Sequence, residues 1–410
     1  MPMSEQDGTK AIALQRPAND DTEAWKAYWK TQGQEWRTEP EIDTERQKYL
    51  DERRSITPDI EQGIYPFKDI RLSRADVEWL LATHENGRGP VDWSNENQRE
   101  RTGLDLRGAD LCQADLRNLP LACIQGGLAG HVQSYAIEGL DDNAIVHMEK
   151  AILREAHLEG ANLRKAHMQG ADLFRAHLEA TYLNEANLAG TDLRSIFFDT
   201  ASTLRDVVLC DNEHGFISVA DARWAGVNLA LLKWPRRKWS KLLILGDESK
   251  ARQVDSRDRA KRIEEYEGAV RANRQLTGVL RDQGLNELAD HFAYRAQMLQ
   301  RKVFRYQGKV GPYLFSLLLA MLSGYGYRIW RILAAYIVMV SLFALAYFVL
   351  GMHYSPHFSL DQAFLESITA FHGRVFLEQF SPNTPQIWLT ALEAIAGLII
   401  EGLIQRFFGK

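Results

Sequence analysis

The chain has 410 residues, 49 Lys+Arg against 54 Asp+Glu for a formal net charge of −5, and a mean hydropathy of −0.31. Those values exclude a basic nucleic-acid-coating protein and a disordered or collagen-like chain, and three cysteines (Cys112, Cys123 and Cys210), at no metal-ligand spacing, exclude a disulfide scaffold and fit a reducing compartment. The charge is unevenly spread: the last 102 residues hold only 6 Lys+Arg and 5 Asp+Glu.

The first twenty residues are polar and lack the apolar core of a secretory signal, so the N-terminus is expected to stay where it is made. Residues 1–21 read as disordered, and the pattern turns helical from Thr22 to about Arg54. Trp25, Tyr28, Trp29 and Trp36 in this charged stretch require a surface to pack on. Residues 1–72 are thus expected as a polar, partly disordered, partly helical region. A cap at Ser73 opens a short helix over 75–81, which stops before Asn86-Gly87-Arg88-Gly89-Pro90.

A five-residue period follows. Leu106, Leu111, Leu116 and Leu121 begin it, and after an interruption near 124–150 it returns in another register. Leu153, Leu158, Leu163, Met168, Leu173, Leu178, Leu183, Leu188 and Leu193 then form an unbroken run. Two residues before each stands Ala or Thr, from Ala151 to Thr191. Neither a helix of period 3.6 nor a strand of period 2 keeps a strict five on one face, whereas a chain making a quarter turn every five residues does. The blocks Gly108-Ala109-Asp110-Leu111, Gly160-Ala161-Asn162-Leu163 and Gly170-Ala171-Asp172-Leu173 resemble the pentapeptide-repeat family, which implies a right-handed, four-sided β-helix. With its helical cap it is expected over 73–240, with a second insertion near 199–215.

Residues 247–308 are charged and broken once at Gln283-Gly284. Ile263, Tyr266, Val270 and then Leu285, Leu288, Phe292, Leu299 and Val303 predict an antiparallel helical hairpin. Residues 309–410 read as a membrane domain. The stretch 332–352 carries no charge and follows Arg328, Trp330 and Arg331, which predicts a span over 330–351. Residues 313–323 form a shorter apolar helix, interfacial or inserted. A second span is expected over 385–405, where Glu393, Gly397 and Glu401 recur at four-residue steps in one sector. That sector faces a pore or a neighbouring helix, because acids inside a span avoid lipid. Positive charge before the first span and after the second puts both termini in the cytoplasm and the chain in the inner (plasma) membrane.

Between the spans, Ser359-Leu360-Asp361-Gln362 is a capping box that opens a short helix over 360–371, ending at His372-Gly373. With Ser367-Ile368-Thr369 and Leu392-Glu393-Ala394, this layout resembles the two-transmembrane pore domain of tetrameric potassium-type channels. The resemblance implies a homotetramer, with Thr369, Phe371, His372, Gly373 and Arg374 at the filter and Glu393, Gly397 and Glu401 at the inner pore. Thr369-Ala370-Phe371-His372-Gly373-Arg374 departs from the TVGYG filter of potassium channels, so potassium selectivity is not implied. Arg374 opposes cations and Glu393 and Glu401 favour them, a balance that leans to cations.

His157, His167 and His177 recur every ten residues. Four repeats per coil stack His157 on His177 and send His167 to the opposite face, and two histidines without a carboxylate make a poor metal site. Arg236-Arg237-Lys238, between Trp234 and Trp239, suits either a membrane surface or a solvated coil end. No phosphate loop, HExxH or GxSxG motif is present, so no enzyme, cofactor or metal is expected. Residues 151–195 carry too balanced a charge to mimic nucleic acid. The sequence therefore predicts a multidomain channel-like membrane protein, a β-helix sensing or assembly module joined through a helical hairpin to an oligomeric pore. Its partners are the bilayer, its own copies, permeant ions and a cytoplasmic ligand or protein on the β-helix. The alternative is a membrane-anchored scaffold without conduction.

Overall fold

The computed structural model describes residues 16–59, 62–128, 144–224, 226–234, 244–255, 257–325, 329–354, 359–373 and 385–408. The chain divides into two compact units, residues 1–258 with 271–285, and residues 259–270 with 286–410.

In the first unit, the Asp21 and Asp43 carboxylates accept the Ala24 and Arg46 backbone amides and start helices α1 (Thr22–Thr31) and α2 (Thr44–Arg54). The helical stretch expected from Thr22 to Arg54 is split, because Gly33 adopts a left-handed φ of +74° just after α1 and Pro40 follows. Trp25 and Trp29 are buried and donate their indole N–H groups to the Ala18 and Glu39 carbonyls at 2.9 and 2.8 Å. Helix α3 (Arg74–Ala82) opens on a Ser73–Asp76 capping box. Its Glu78, fully buried, accepts the Thr38 and Glu39 backbone amides at 3.0 Å and pairs with Arg74 at 2.7 Å. Residues 38–39 are thereby tied to the cap of the β-helix. A single turn, α4 (His84–Gly87), contains left-handed Glu85 and Asn86.

The repeats then wind as parallel bridges. His147 pairs with His167, Ile152 with Asp172, His157 with His177 and Asn162 with Tyr182, so four pentapeptides complete one coil. Bridges such as Asp110 to His147 span 37 residues and place the first insertion in that coil; residues 129–143 lie outside the described residues. The nine apolar residues from Leu153 to Leu193 are at most 1% exposed, and the small residues two positions earlier are equally buried. Thr181 and Thr191 occupy alanine positions without orphaning a hydroxyl, since they donate to the Leu158 and Met168 carbonyls at 2.9 and 3.0 Å. Beyond Tyr182 the bridge spacing grows to 21 and then 26 residues. The larger step accommodates a hairpin of β1 (Cys210–Asp211) and β2 (Gly215–Phe216). Gly190 faces this hairpin at φ +70°, where a Cβ would stand 2.7 Å from His214.

The last coils are closed by helices. In α5 (Gly246–Gln253), the Asp247 carboxylate accepts the Val219 and Ala220 amides at 2.7 and 3.2 Å. Helix α6 (Arg259–Asp282) follows; its Gln275 accepts the Asp221 amide at 2.9 Å, and Gln283 beyond it accepts the Leu229 amide at 2.8 Å.

In the second unit, α7 (Asn286–Gln307) buries Ala289, Phe292, Ala296, Leu299 and Val303, and Tyr306 stacks on Tyr266 at 5.5 Å. Helix α8 (Val310–Ser323) ends at left-handed Gly324. Then come α9 (Ile329–Tyr354), α10 (Leu360–Phe371) and α11 (Pro385–Phe408). Among the described residues one helix, over Trp330–Gly351, is long and apolar enough to cross a membrane, with a mean hydropathy of 2.5; two such spans were expected. Large apolar side chains stay exposed along α8 to α11, among them Phe315, Ile337, Leu342, Leu365 and Leu398.

Candidate functional site

Two regions of the described chain gather chemistry-bearing side chains. The first lies on the outer faces of the β-helix. His157, Leu158 and Glu159 alternate, so Leu158 points into the core while His157 and Glu159 point out together. The bridge to the next coil sets His177 on His157, rings 4.8 Å apart and 8° from parallel, and Phe197 continues the stack at 4.9 Å. Glu159 Oε1 lies 2.9 Å from His157 Nδ1 and 4.0 Å from His177 Nδ1. Glu179 Oε1 stands 3.4 Å from the same His177 nitrogen.

The second cluster repeats the motif ten residues earlier. His147 and His167 meet edge to face at 4.8 Å, and Glu149 Oε1 lies 3.2 and 3.5 Å from their Nδ1 atoms. The Cys112 thiol donates to Glu149 Oε2 at 3.1 Å. Burial alone would push the Glu149 carboxyl up. Hydrogen bonds with His147, His167 and Cys112 outweigh it and hold the group well below the usual carboxylate range. The hydrogen bonds to Glu149 and Glu159 raise His147 and His157 in turn, against burial. Burial, with Asp110 and Glu149 alongside, pushes the Cys112 thiol up to about 12, which leaves it a poor nucleophile.

The ten-residue histidine period thus stacks His157 on His177 and sends His167 to another face, where His147 meets it. The expectation that the stack has no carboxylate is corrected: Glu159 follows His157 by two residues, and strand alternation brings it to the same face. His-x-Glu at 147–149 and 157–159, and again at 177–179, was the signal available in the sequence.

The second region is the C-terminal hairpin. Ser359 Oγ accepts the Gln362 amide at 3.3 Å and Gln362 Oε1 accepts the Ser359 amide at 3.1 Å, the reciprocal cap that starts α10. Phe371 is buried with Ile332 and Val340 of α9 and Ile400 of α11. Thr369 donates within its own helix, to the Leu365 and Glu366 carbonyls. His372 ends the helix and Gly373 turns it at φ +69°; Arg374 lies outside the described residues, as do Arg236, Arg237 and Lys238. The three sector residues of α11 all meet α10 of the same chain. Glu393, fully buried, has Oε1 2.5 Å from Ser367 Oγ. Gly397 lies where a Cβ would stand 2.0 Å from the Phe371 carbonyl oxygen. Glu401 Oε1 is 2.8 Å from His372 Nδ1. Of the two readings of this sector, the neighbouring helix is present within one chain.

The pentapeptide-repeat family model matches residues 146–179 and 171–195 in eight copies, wholly inside the β-helix. No curated protein matches the chain. Similar solved structures include a pentapeptide repeat protein from the Arabidopsis thaliana thylakoid lumen, at 19% identity and TM-score 0.17, with 31% of this chain and 66% of that one covered. HetL, involved in heterocyst differentiation regulation in the cyanobacterium Nostoc sp. strain PCC 7120, is 21% identical, with TM-score 0.18 and 32% and 54% covered. Rfr23 from the cyanobacterium Cyanothece 51142 is 19% identical, with TM-score 0.18 and 31% and 91% covered. The chain spans about two thirds of the first of these and about half of the second.

Proposed function

This chain carries a pentapeptide-repeat domain, and we propose that it is a membrane protein of the inner (plasma) membrane with both termini cytoplasmic. In this reading α9 and α11 both cross the bilayer, and four copies assemble an ion pathway from α9 to α11, with a lean to cations. The β-helix serves as its sensing or assembly module. The observation that carries this reading is the short, capped α10, packed against both α9 and α11 and turned at Gly373. A helix that enters and turns without crossing needs flanking helices to satisfy its surroundings, and pore loops share that arrangement.

The partners of Glu393, Gly397 and Glu401 on α10 favour a second reading. If these acids need no water-filled pathway, the helices tether an interaction scaffold whose β-helix faces bind a protein or small ligand. Purified protein reconstituted in planar bilayers separates the two. The channel reading expects ionic current whose reversal potential shifts in Glu401→Gln and Arg374→Ala. Inserted oligomers that carry no current under any ion gradient leave the scaffold.

A further inference from the structure

We propose that His157, Glu159 and His177, with Glu179 beside them, bind one first-row divalent transition-metal ion, of which Zn²⁺ is the probe. The ligand atoms of the first three lie within 4.8 Å of one another. Bonds of about 2.1 Å can join atoms up to about 4.2 Å apart, and Glu159 Oε1 stands 2.9 and 4.0 Å from the two Nδ1 atoms. Small rotations of the rings bring all three onto one ion.

The independent observation is a buried carboxylate oxygen with nothing to hold. Glu159 is only 5% exposed, and among the described residues its Oε2 has no hydrogen-bond partner. A buried carboxylate oxygen left unpaired is costly, and nothing in the core requires it. Glu179 Oε2 is unpartnered in the same way, next to His177. Two imidazoles and the Glu159 carboxylate, donors of zinc and its neighbours, thus converge with one buried oxygen uncommitted, and Glu179 stands beside His177 with a second. The half-exposed His157 leaves a path from solvent, and Phe197 covers the other face of the His177 ring.

The His147–Glu149–His167 cluster is the internal comparison. Both Glu149 oxygens are engaged there, Oε1 by two imidazoles and Oε2 by Cys112, so no oxygen calls for a cation. Among the described residues one ion site is therefore expected.

The test is equilibrium dialysis of the full chain in detergent, made without affinity histidines and stripped with chelator, against Zn²⁺. One equivalent should bind. Glu159→Gln and His177→Ala should each weaken it at least ~10-fold, the low end for disturbing a metal site's supporting groups, and His147→Ala should leave it unchanged. Bound Co²⁺ should give the intense visible absorption of a low-coordinate site in wild type and lose it in Glu159→Gln. Circular dichroism confirms that each variant keeps its β-helix, and Glu159→Asp supplies a shorter carboxylate that should retain part of the affinity. Absence of Zn²⁺ binding overturns the proposal. So does binding that survives both substitutions, or that disappears with His147→Ala.

Discussion

Replacing Gly397 by alanine tests the packing of the C-terminal hairpin. A Cβ at that position would lie 2.0 Å from the Phe371 carbonyl oxygen and 3.0 Å from its carbonyl carbon. Both neighbours are backbone, so no side chain can swing away. Ordinary contact begins at 3.4 Å, and α11 has to retreat by about 1.4 Å to reach it. That retreat separates Ile400 from Phe371, which itself packs edge to face on Tyr336 at 4.9 Å. It also stretches the contact of Glu401 with His372 on the next turn. Overpacking of this kind costs about 1–3 kcal/mol, with the upper end expected where backbone is displaced. Gly402 is the matched control, since nothing lies within 4 Å of a Cβ there. The assay is unfolding of the purified chain in mixed micelles, followed by tryptophan fluorescence. Gly397→Ala should unfold at clearly lower denaturant and Gly402→Ala at the wild-type midpoint. Equal midpoints for the two variants would refute the close approach of α11 to α10.

Two predictions concern the β-helix. Leu173→Ala empties a position 1% exposed in the middle of the ladder, and urea titration by circular dichroism should register a loss of about 2–5 kcal/mol; a loss below 1 kcal/mol would contradict a packed core. Asp247 gives a pH signature: burial is the main influence and pushes its carboxyl to about 6 from 3.8, with Asp192 adding to the rise and Lys250 and the Val219 and Ala220 amides opposing it. The folded state holds this proton more tightly than the unfolded chain. The contribution to stability is therefore largest below pH ~4 and falls by about 3 kcal/mol as pH rises through 6. The difference in unfolding free energy between wild type and Asp247→Asn should change over that window, and a flat difference would rule the effect out.

The repeats were legible because one rule governs nine consecutive pentapeptides. Each pentapeptide places Leu and a small residue inward, so periodicity alone fixes the ladder from Leu153 to Leu193. The Ser359–Gln362 cap was equally legible, since capping is decided within four residues. What escaped depends on contacts between distant segments. Glu78 anchors residues 38–39 across forty positions, and no local pattern announces that. The ten-residue histidine period does not include Glu159, although strand alternation assigns it to the same face as His157. For Glu393 and Glu401 the sequence gives the sector but not its neighbour: a helix face that avoids lipid is satisfied equally by pore water and by α10.

The most direct test of the proposed assembly is a single-particle image of the full chain in lipid nanodiscs. Four copies about a central axis are expected, with α9, α10 and α11 of each copy surrounding it. Monomers, or pairs related by a twofold axis with no central pathway, would contradict it.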